Sequence, residues 1–374
     1  MPPIYLDYNT TTPLAPSVLE AMHPFWCEHF LLPSQEHQQG RAIGEGIERA
    51  REQVAELVGC DSFEIVFTDG GTEANNLAIL GMGDAKAPGH ILVSILEHES
   101  VLLAAESLME SGWKVDQIPC DPNGVISVDA VESRLQPDTE LVCVQAANPI
   151  LGTLQPIRDI AEVCHKHDVR LHCDATQMFG KMPVDVSSLG ADTMSVSGHK
   201  FYGPKGTGAL FVRRGLSLKP FRFGEPREMG LRPGAENIPG IIGLGAASLL
   251  ASRCADQAAD RLEELSQRFL SRLRETVDPE LQIVCEDSAR LPNTLTLLLP
   301  TDARRVQKMA DRLIMAAARS ASPPDQMTRS LRAIGLKPNE ISRALRISLG
   351  WNTSQDQVDR SVELLAETWE ISTL

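Results

Sequence analysis

Short apolar runs and stretches of helical periodicity alternate along the first two-thirds of the chain. The spacing predicts a helix from about Glu45 to Val58, then a strand at EIVFT (64–68) and a helix at TEANNLAILGMG (72–83). HILVS (90–94) predicts a second strand and 98–110 a helix. Further strands are expected at WKVDQIP (113–119), ELVCVQA (140–146), VRLHCDA (169–175), TMSVSG (193–198) and GALFV (208–212), with a helix over 156–167. Several of these strands are apolar nearly throughout, as strands covered by helices on both sheet faces are. The pattern therefore predicts an α/β fold with a mainly parallel central sheet over 14–245.

The last third reads differently. SQRFLSRLRETV (266–277), RRVQKMADRLIMAAA (304–318) and QDQVDRSVELLAETWE (355–370) have helical periodicity, and LPNTLTLLLP (291–300) and ALRISLG (344–350) read as strands between them. A smaller α+β domain over 246–374 is expected, with residues 1–13 free to pack on it or on the larger one.

Composition narrows the function classes. Lys plus Arg is 35 against 50 for Asp plus Glu, a net charge of −15, which disfavours nonspecific binding to nucleic acid or an anionic membrane. No segment has the pattern of a signal peptide or a membrane span, and a cytoplasmic location is expected. The eight cysteines (Cys27, Cys60, Cys120, Cys143, Cys164, Cys173, Cys254 and Cys285) form no CxxC and no zinc-like cluster, so no metal is expected.

Candidate chemistry collects at strand ends. TDGGTEANN (68–76) joins a predicted strand to a predicted helix; its glycines permit close backbone approach, the helix start would attract a phosphate, and Thr72 adds a hydroxyl. The segment is neither GxxxxGK[ST] nor GxGxxG, which disfavours nucleoside triphosphate and dinucleotide sites. Asp174 in HCDATQ and Lys200 in SGHK both fall at carboxyl ends of predicted strands, where open α/β sheets bind ligands. A desolvated lysine is a nucleophile able to hold a carbonyl cofactor as an imine. A carboxylate at Asp174 would keep the ring nitrogen of pyridoxal 5′-phosphate protonated, Gln177 would donate to the ring oxygen, and His98 would stack on the ring. Each residue taken singly has a plainer reading: a cap or ion-pair partner for Asp174, a structural lysine at Lys200, a helix-start residue at His98, an ordinary turn at the glycines.

Taken together, the segments resemble the cysteine desulfurases related to the nitrogen-fixation and iron–sulfur-cluster enzymes, in the class V aminotransferase group of fold-type I pyridoxal phosphate enzymes. The resemblance runs from YLDYNTTTPLAP (5–16) through FTDGGTEANNLAI (67–79), LEHES (96–100), HCDATQMFGKMPVD (172–185), SVSGHKFYGPKGTGALFVRRG (195–215) and GLRPGAENIPG (230–240) to ALRISLG (344–350). It implies the fold-type I transferase fold, a pyridoxal 5′-phosphate cofactor, a homodimer, a small amino-acid substrate and a sulfur-acceptor protein as a further partner. Lys200 falls on the lysine that carries the cofactor and Asp174 on the partner of the ring nitrogen. Gln177 falls on the ring-oxygen donor, and His98 on the stacking, proton-moving histidine. Thr72, Ser197 and His199 fall on phosphate ligands, Arg346 on the arginine that clamps the substrate carboxylate, and Asn148 on a substrate-side asparagine.

Four departures qualify the resemblance. In ARSASPPDQMTRSLRAIG (318–335), Ser322 falls on the family's catalytic cysteine, the loop is shorter, and no cysteine follows Cys285. ANPILG (147–152) puts Pro149 where a second asparagine is usual, RPGAEN (232–237) puts Ala235 where the family has threonine, and FGEPREMG (223–230) lacks the usual glycine-rich segment. A persulfide needs a thiol, which has an accessible thiolate at neutral pH; a serine hydroxyl has none and cannot hold the sulfur. The sequence therefore predicts a desulfurase-like enzyme that cleaves a C–S or C–Se bond without a loop persulfide. Cysteine, cystine, selenocysteine and cysteine sulfinate are the candidate substrates. The alternatives are a true desulfurase using a cysteine from elsewhere, or a catalytically weak scaffold that docks partner proteins.

Overall fold

The computed structural model describes residues 2–82, 88–278, 280–319 and 323–372. Its centre is a seven-stranded sheet in the order Ile65–Thr68, Gly208–Val212, Thr193–Ser197, Arg170–Asp174, Thr139–Cys143, His90–Ser94, Lys114–Ile118. Gly208–Val212 is antiparallel to both of its neighbours, and the other pairings are parallel. The apolar strands are explained by what covers them. Phe67, Val142, Leu171 and Val196 belong to a core shared with helices Gln38–Val58 and Ile157–Lys166. Val66, Ile91, Leu141 and Leu210 face the other way, onto helices Gly71–Leu80 and Glu99–Leu108. Alternate residues of the inner strands are thus buried on opposite faces, and no polar face interrupts their runs, whereas the edge strand Lys114–Ile118 exposes Lys114, Asp116 and Gln117.

A second core is built from Leu262, Phe269, Leu297, Ile347, Val358 and Leu365. It is covered by an antiparallel sheet in the order Ala316–Ala317, Ala344–Ser348, Thr294–Leu298, Gln282–Ile283 and by helix Gln355–Ser372. One helix, Ile238–Thr276, serves both cores: Ile241, Leu244 and Ala247 pack in the first and Leu262, Leu265 and Phe269 in the second. It runs unbroken across residues 245–246, where the sequence pattern places a boundary. Its first part is long and apolar enough by composition to cross a bilayer, but half of that window is buried in the protein.

The helix expected over 304–318 is corrected. The structure ends it at Met309, and two short strands follow, Leu313–Ile314 and Ala316–Ala317. The first pairs in parallel with Ile4–Tyr5 and the second antiparallel with Ala344–Ser348. Two neighbouring strands offer backbone partners there, and that tertiary pairing outweighs the helical preference of an alanine-rich run. The N-terminal segment thereby joins the second unit through Leu6. It then passes across the carboxyl ends of the large sheet.

Candidate active site

The strand order places the candidate residues together. Asp174 ends one strand and is paired in register with Ser195 on the next, whose chain continues through Ser197 into the turn carrying Lys200. Gly70 and Thr72 come from the start of helix Gly71–Leu80, and Arg346 from the middle of Ala344–Ser348. These elements enclose a cleft of about 610 Å³. Thr72, His98, Asp174, Gln177, Ser197, His199, Lys200 and Arg346 all line it, as the sequence predicts for a shared site.

Lys200 is half-buried, and its Nζ donates to Asn9 O at 2.8 Å and Thr10 O at 2.9 Å. Burial, reinforced by the Arg346 cation, brings its amine down to about 8, while Asp174 and Asp7 pull the other way. Asp174 accepts at Oδ1 from Thr176 N (3.0 Å) and Oγ1 (2.7 Å), and at Oδ2 from Asn75 Nδ2 (2.8 Å). The same Asn75 Nδ2 donates to Ser100 Oγ at 2.8 Å, and its Oδ1 accepts from Ser195 Oγ at 2.6 Å. Asn75 Oδ1 also meets His172 Nε2 at 3.0 Å. Burial holds the His172 imidazole down to about 4, so it is neutral at pH 7. His98 caps helix Glu99–Leu108, with Nδ1 accepting from Ser100 N at 3.1 Å. Its helix-start and cleft-lining roles therefore coexist.

The glycine turn has the shape a phosphate needs. Gly70 has φ +134°, which side-chain-bearing residues rarely adopt, and a Cβ on Gly71 would come 2.9 Å from Thr176 Cγ2. The N–H groups of the first turn of helix Gly71–Leu80 have no acceptor within the helix and open beside Ser197 and Thr72. His199 contacts Thr11 Oγ1 at 3.1 Å, and burial with the nearby Lys200 and Lys205 cations brings its imidazole down to about 4. A neutral ring there acts as a hydrogen-bonding partner rather than a charge.

Arg346 is buried; one terminal nitrogen donates to Pro149 O at 3.1 Å and the other bonds Asp7 Oδ1 and Thr10 Oγ1. Its Nε is buried without a partner. The Pro149 carbonyl also accepts from Asn9 Nδ2 at 2.9 Å, so the proline that departs from the family pattern still anchors two cleft residues. Asn148 is corrected as a substrate-side residue. It is fully buried and does not line the cleft; its Oδ1 accepts from Ile150 N and Leu151 N, and its Nδ2 donates to Ser330 Oγ. A side chain that closes its own turn in this way has no face left for a ligand. Ser322 lies outside the described residues.

Several residues of the site carried no signal in the pattern. Asn9 is the hub: its backbone oxygen holds Lys200 and Gln177, and its Oδ1 accepts from Lys181 Nζ at 2.8 Å. Lys181 is itself buried, which drives its amine well below the usual lysine range. A lysine within the apolar run MFGKMPV was the available hint. Asn75 had a similar one, a polar residue flanked by buried Ala74 and Leu77.

These groups fit pyridoxal 5′-phosphate. Lys200 supplies an amine, Asp174 a carboxylate already oriented by three donors, the glycine turn a phosphate cradle, and Arg346 Nε an unpartnered donor for a carboxylate. Comparison with known proteins agrees. Residues 4–360 match the family Aminotransferase class-V. Cysteine desulfurase IscS 1 of Archaeoglobus fulgidus is 38% identical over 96% of this chain and 95% of its own. The human cysteine desulfurase is 35% identical over 96% of this chain and 80% of its own. Among solved structures, a NifS-like protein superposes with a TM-score of 0.92 at 31% identity, covering all of both chains. SspA, solved in complex with cysteine, gives 0.79 at 34% identity over 92% of this chain and 98% of its own. The chain belongs to the class-V aminotransferase family, in its cysteine desulfurase group, and is a pyridoxal 5′-phosphate-dependent enzyme.

Proposed function

We propose that this class-V aminotransferase family member cleaves the C–S bond of cysteine or a closely related small amino acid by β-elimination. On this reading the sulfur leaves as free sulfide rather than being stored on the chain. The observation that carries this reading is the lining of the cleft: among the described residues it holds an amine, a carboxylate and an arginine, but no cysteine. In sequence, residues 320–322, which lie outside the described residues, are Ser, Ala and Ser.

When bound, pyridoxal 5′-phosphate supplies a carbonyl for the substrate amine and a ring that delocalises charge from Cα. The chain's own residues do the rest. Arg346 holds the α-carboxylate, with Asp7 and Thr10 fixing its outer nitrogen. Asp174, held by Thr176 and Asn75, would be the partner of the ring nitrogen when the cofactor is bound. The Lys200 amine, brought to about 8 by burial, is poised to take and return the Cα proton near neutral pH. His98 lines the same cleft, hydrogen-bonded to Ser100, and would stack on the ring when the cofactor is bound.

Product analysis after incubation with cysteine tests this. Elimination gives pyruvate, ammonia and sulfide in equal amounts; sulfur transfer to a protein thiol gives alanine and a chain one sulfur atom heavier by intact mass. Alanine with that heavier species would overturn the proposal and favour a desulfurase using one of the eight cysteines and a sulfur-acceptor protein. Borohydride should trap the cofactor on Lys200; a label on Lys205 would sink the assignment.

The same reading includes a homodimer. Trp26 is 62%, Phe30 68% and Phe223 92% exposed, and exposed Phe63 and Met229 line one groove with Pro33. Large apolar side chains left in water mark an interaction surface. Sedimentation should give twice the chain mass.

A further inference from the structure

Gln326 is a residue that the sequence pattern did not mark. Gln326 is the first residue of helix Gln326–Ala333 and lines the cleft with His98, Lys200 and Arg346. Its Nε2 is buried and has no hydrogen-bond partner. Buried polar groups in folded proteins are overwhelmingly paired, so an unpaired one inside a ligand cleft points to an acceptor on the ligand.

The helix holding Gln326 is tied to the site. Asp325 Oδ1 accepts from Thr328 N at 2.9 Å, and Thr328 Oγ1 donates to Arg319 O at 2.7 Å. Arg329 reaches across to Glu99 Oε1 at 2.6 Å and Glu97 O at 3.3 Å, the two residues flanking His98. Ser330 Oγ accepts from Asn148 at 3.2 Å. Gln326 is therefore carried on an anchored element beside His98.

We propose that Gln326 is a catalytic residue whose Nε2 donates a hydrogen bond to the departing sulfur. The proposal rests on the elimination reading. In that reaction the Cα–H bond breaks and its proton passes to the Lys200 amine. The Cβ–S bond breaks with its electron pair going to sulfur, and water completes the conversion of cysteine to pyruvate, ammonia and hydrogen sulfide. No oxidant or reductant is needed. With no thiol in the described cleft to accept it, the sulfur leaves as an anion. A neutral amide donor binds the uncharged thiol of the ground state weakly and the developing thiolate strongly, which is the difference that accelerates a step. Arg346 Nε, the other unpartnered donor lining the cleft, carries a full charge and suits the permanent carboxylate instead.

The test uses holoenzyme carrying Gln326→Met, with the same-shaped Gln326→Glu as a second variant, and cofactor content as the check on folding. For Gln326→Met, kcat for pyruvate from cysteine should fall roughly 10²-fold with little change in KM. Elimination from β-chloroalanine, whose chloride leaves without help, should be nearly unchanged. Calorimetric binding of 3-mercaptopropionate, which has the carboxylate and sulfur but no amine, should change little where its thiol is protonated, in line with KM, and should weaken by about 10-fold or more at a pH where it binds as the thiolate. Gln326→Glu should be slower still on cysteine, because it sets a negative charge against the leaving anion. Equal losses on both substrates, an unchanged rate with cysteine, or unchanged binding of the thiolate ligand would overturn the role of Gln326 while leaving elimination standing. A wild-type protein that makes alanine and persulfide from cysteine would remove both.

Discussion

Lys181 Nζ donates to Gln177 Oε1 at 2.6 Å, and this contact decides which end of the Gln177 amide is free to donate. Lys181 Nζ also donates to Asn9 Oδ1, and with both of these N–H bonds made Gln177 presents its oxygen to Lys181 and keeps Nε2 for acceptors; here Nε2 reaches Asn9 O at 3.1 Å. Lys181→Met removes the constraint without a large volume change. Because burial of the amine is itself unfavourable, folding stability should change little. Cofactor affinity should drop about 3–10-fold, the range of one lost hydrogen bond. Dialysis followed by cofactor absorbance measures it; full retention would show that Gln177 needs no such orienting.

The Lys200 amine should titrate near 8 in cofactor-free protein, because burial and the Arg346 cation disfavour its charged form. Acetic anhydride labelling across pH, read by peptide mass spectrometry, should show that midpoint at Lys200. Arg346→Met should raise it. A midpoint near the ordinary lysine value of about 10.4 would remove Lys200 as a base active near neutrality.

Glu97 should make the cofactor-free protein less stable as pH rises from 6.5 to 8. Burial and the nearby Asp174 push its carboxyl up to about 8, so the folded chain keeps a proton that the unfolded chain loses near about 4.3. Stability from this group is complete below the lower value and is lost as pH rises through the upper one, at up to about 1.4 kcal/mol per pH unit. His172 and His199, both held to about 4, act in the opposite sense below about 6.5, and the depressed Lys181 and Lys200 amines act in the opposite sense above it, so the Glu97 contribution is the difference between wild type and Glu97→Gln. Urea unfolding at the two pH values should show wild type losing stability relative to Glu97→Gln as pH rises; an unchanged difference would remove Glu97 as the titrating group.

Arg346→Lys keeps the charge and loses the planar fork. KM for α-carboxylate substrates should rise by about 10-fold or more, the cost of one charge-assisted hydrogen bond, with cofactor content nearly unchanged. Identical amino-acid titrations in the two proteins would mean that the carboxylate binds elsewhere.

Ser322→Ala should lose little elimination activity, since proton transfer belongs to Lys200. Ser322→Cys should form persulfide weakly at best, because misplacing a reacting group by about 1 Å costs about 10²-fold. Intact mass after a short reaction with cysteine, with and without reductant, reads both. Robust persulfide on Ser322→Cys would show that the short loop still reaches the substrate.

The sheet was legible because its signal is local. Gly208–Val212 and His90–Ser94 lie where the pattern puts them, and the other strands of that sheet differ only at their ends. The glycine turn, Asp174 and Lys200 were legible for a related reason: in an alternating α/β pattern the carboxyl end of each strand can be located from the strand itself. Asn148 and the 304–318 segment misled because their partners are remote in sequence, Ser330 for one and the strands Ile4–Tyr5 and Ala344–Ser348 for the other.

The sequence by itself determined the order of elements, the amine and carboxylate at neighbouring strand ends, and the replacement of the family's thiol by Ser322, since periodicity and residue identity are carried by adjacent positions. The tertiary structure alone decided that Asn9 would join Lys181 from 172 positions away, that Lys181 would orient Gln177, and that Gln326 would reach the cleft unpaired. A hydrogen bond between distant residues depends on where the chain crosses itself. No periodicity along the chain records that crossing.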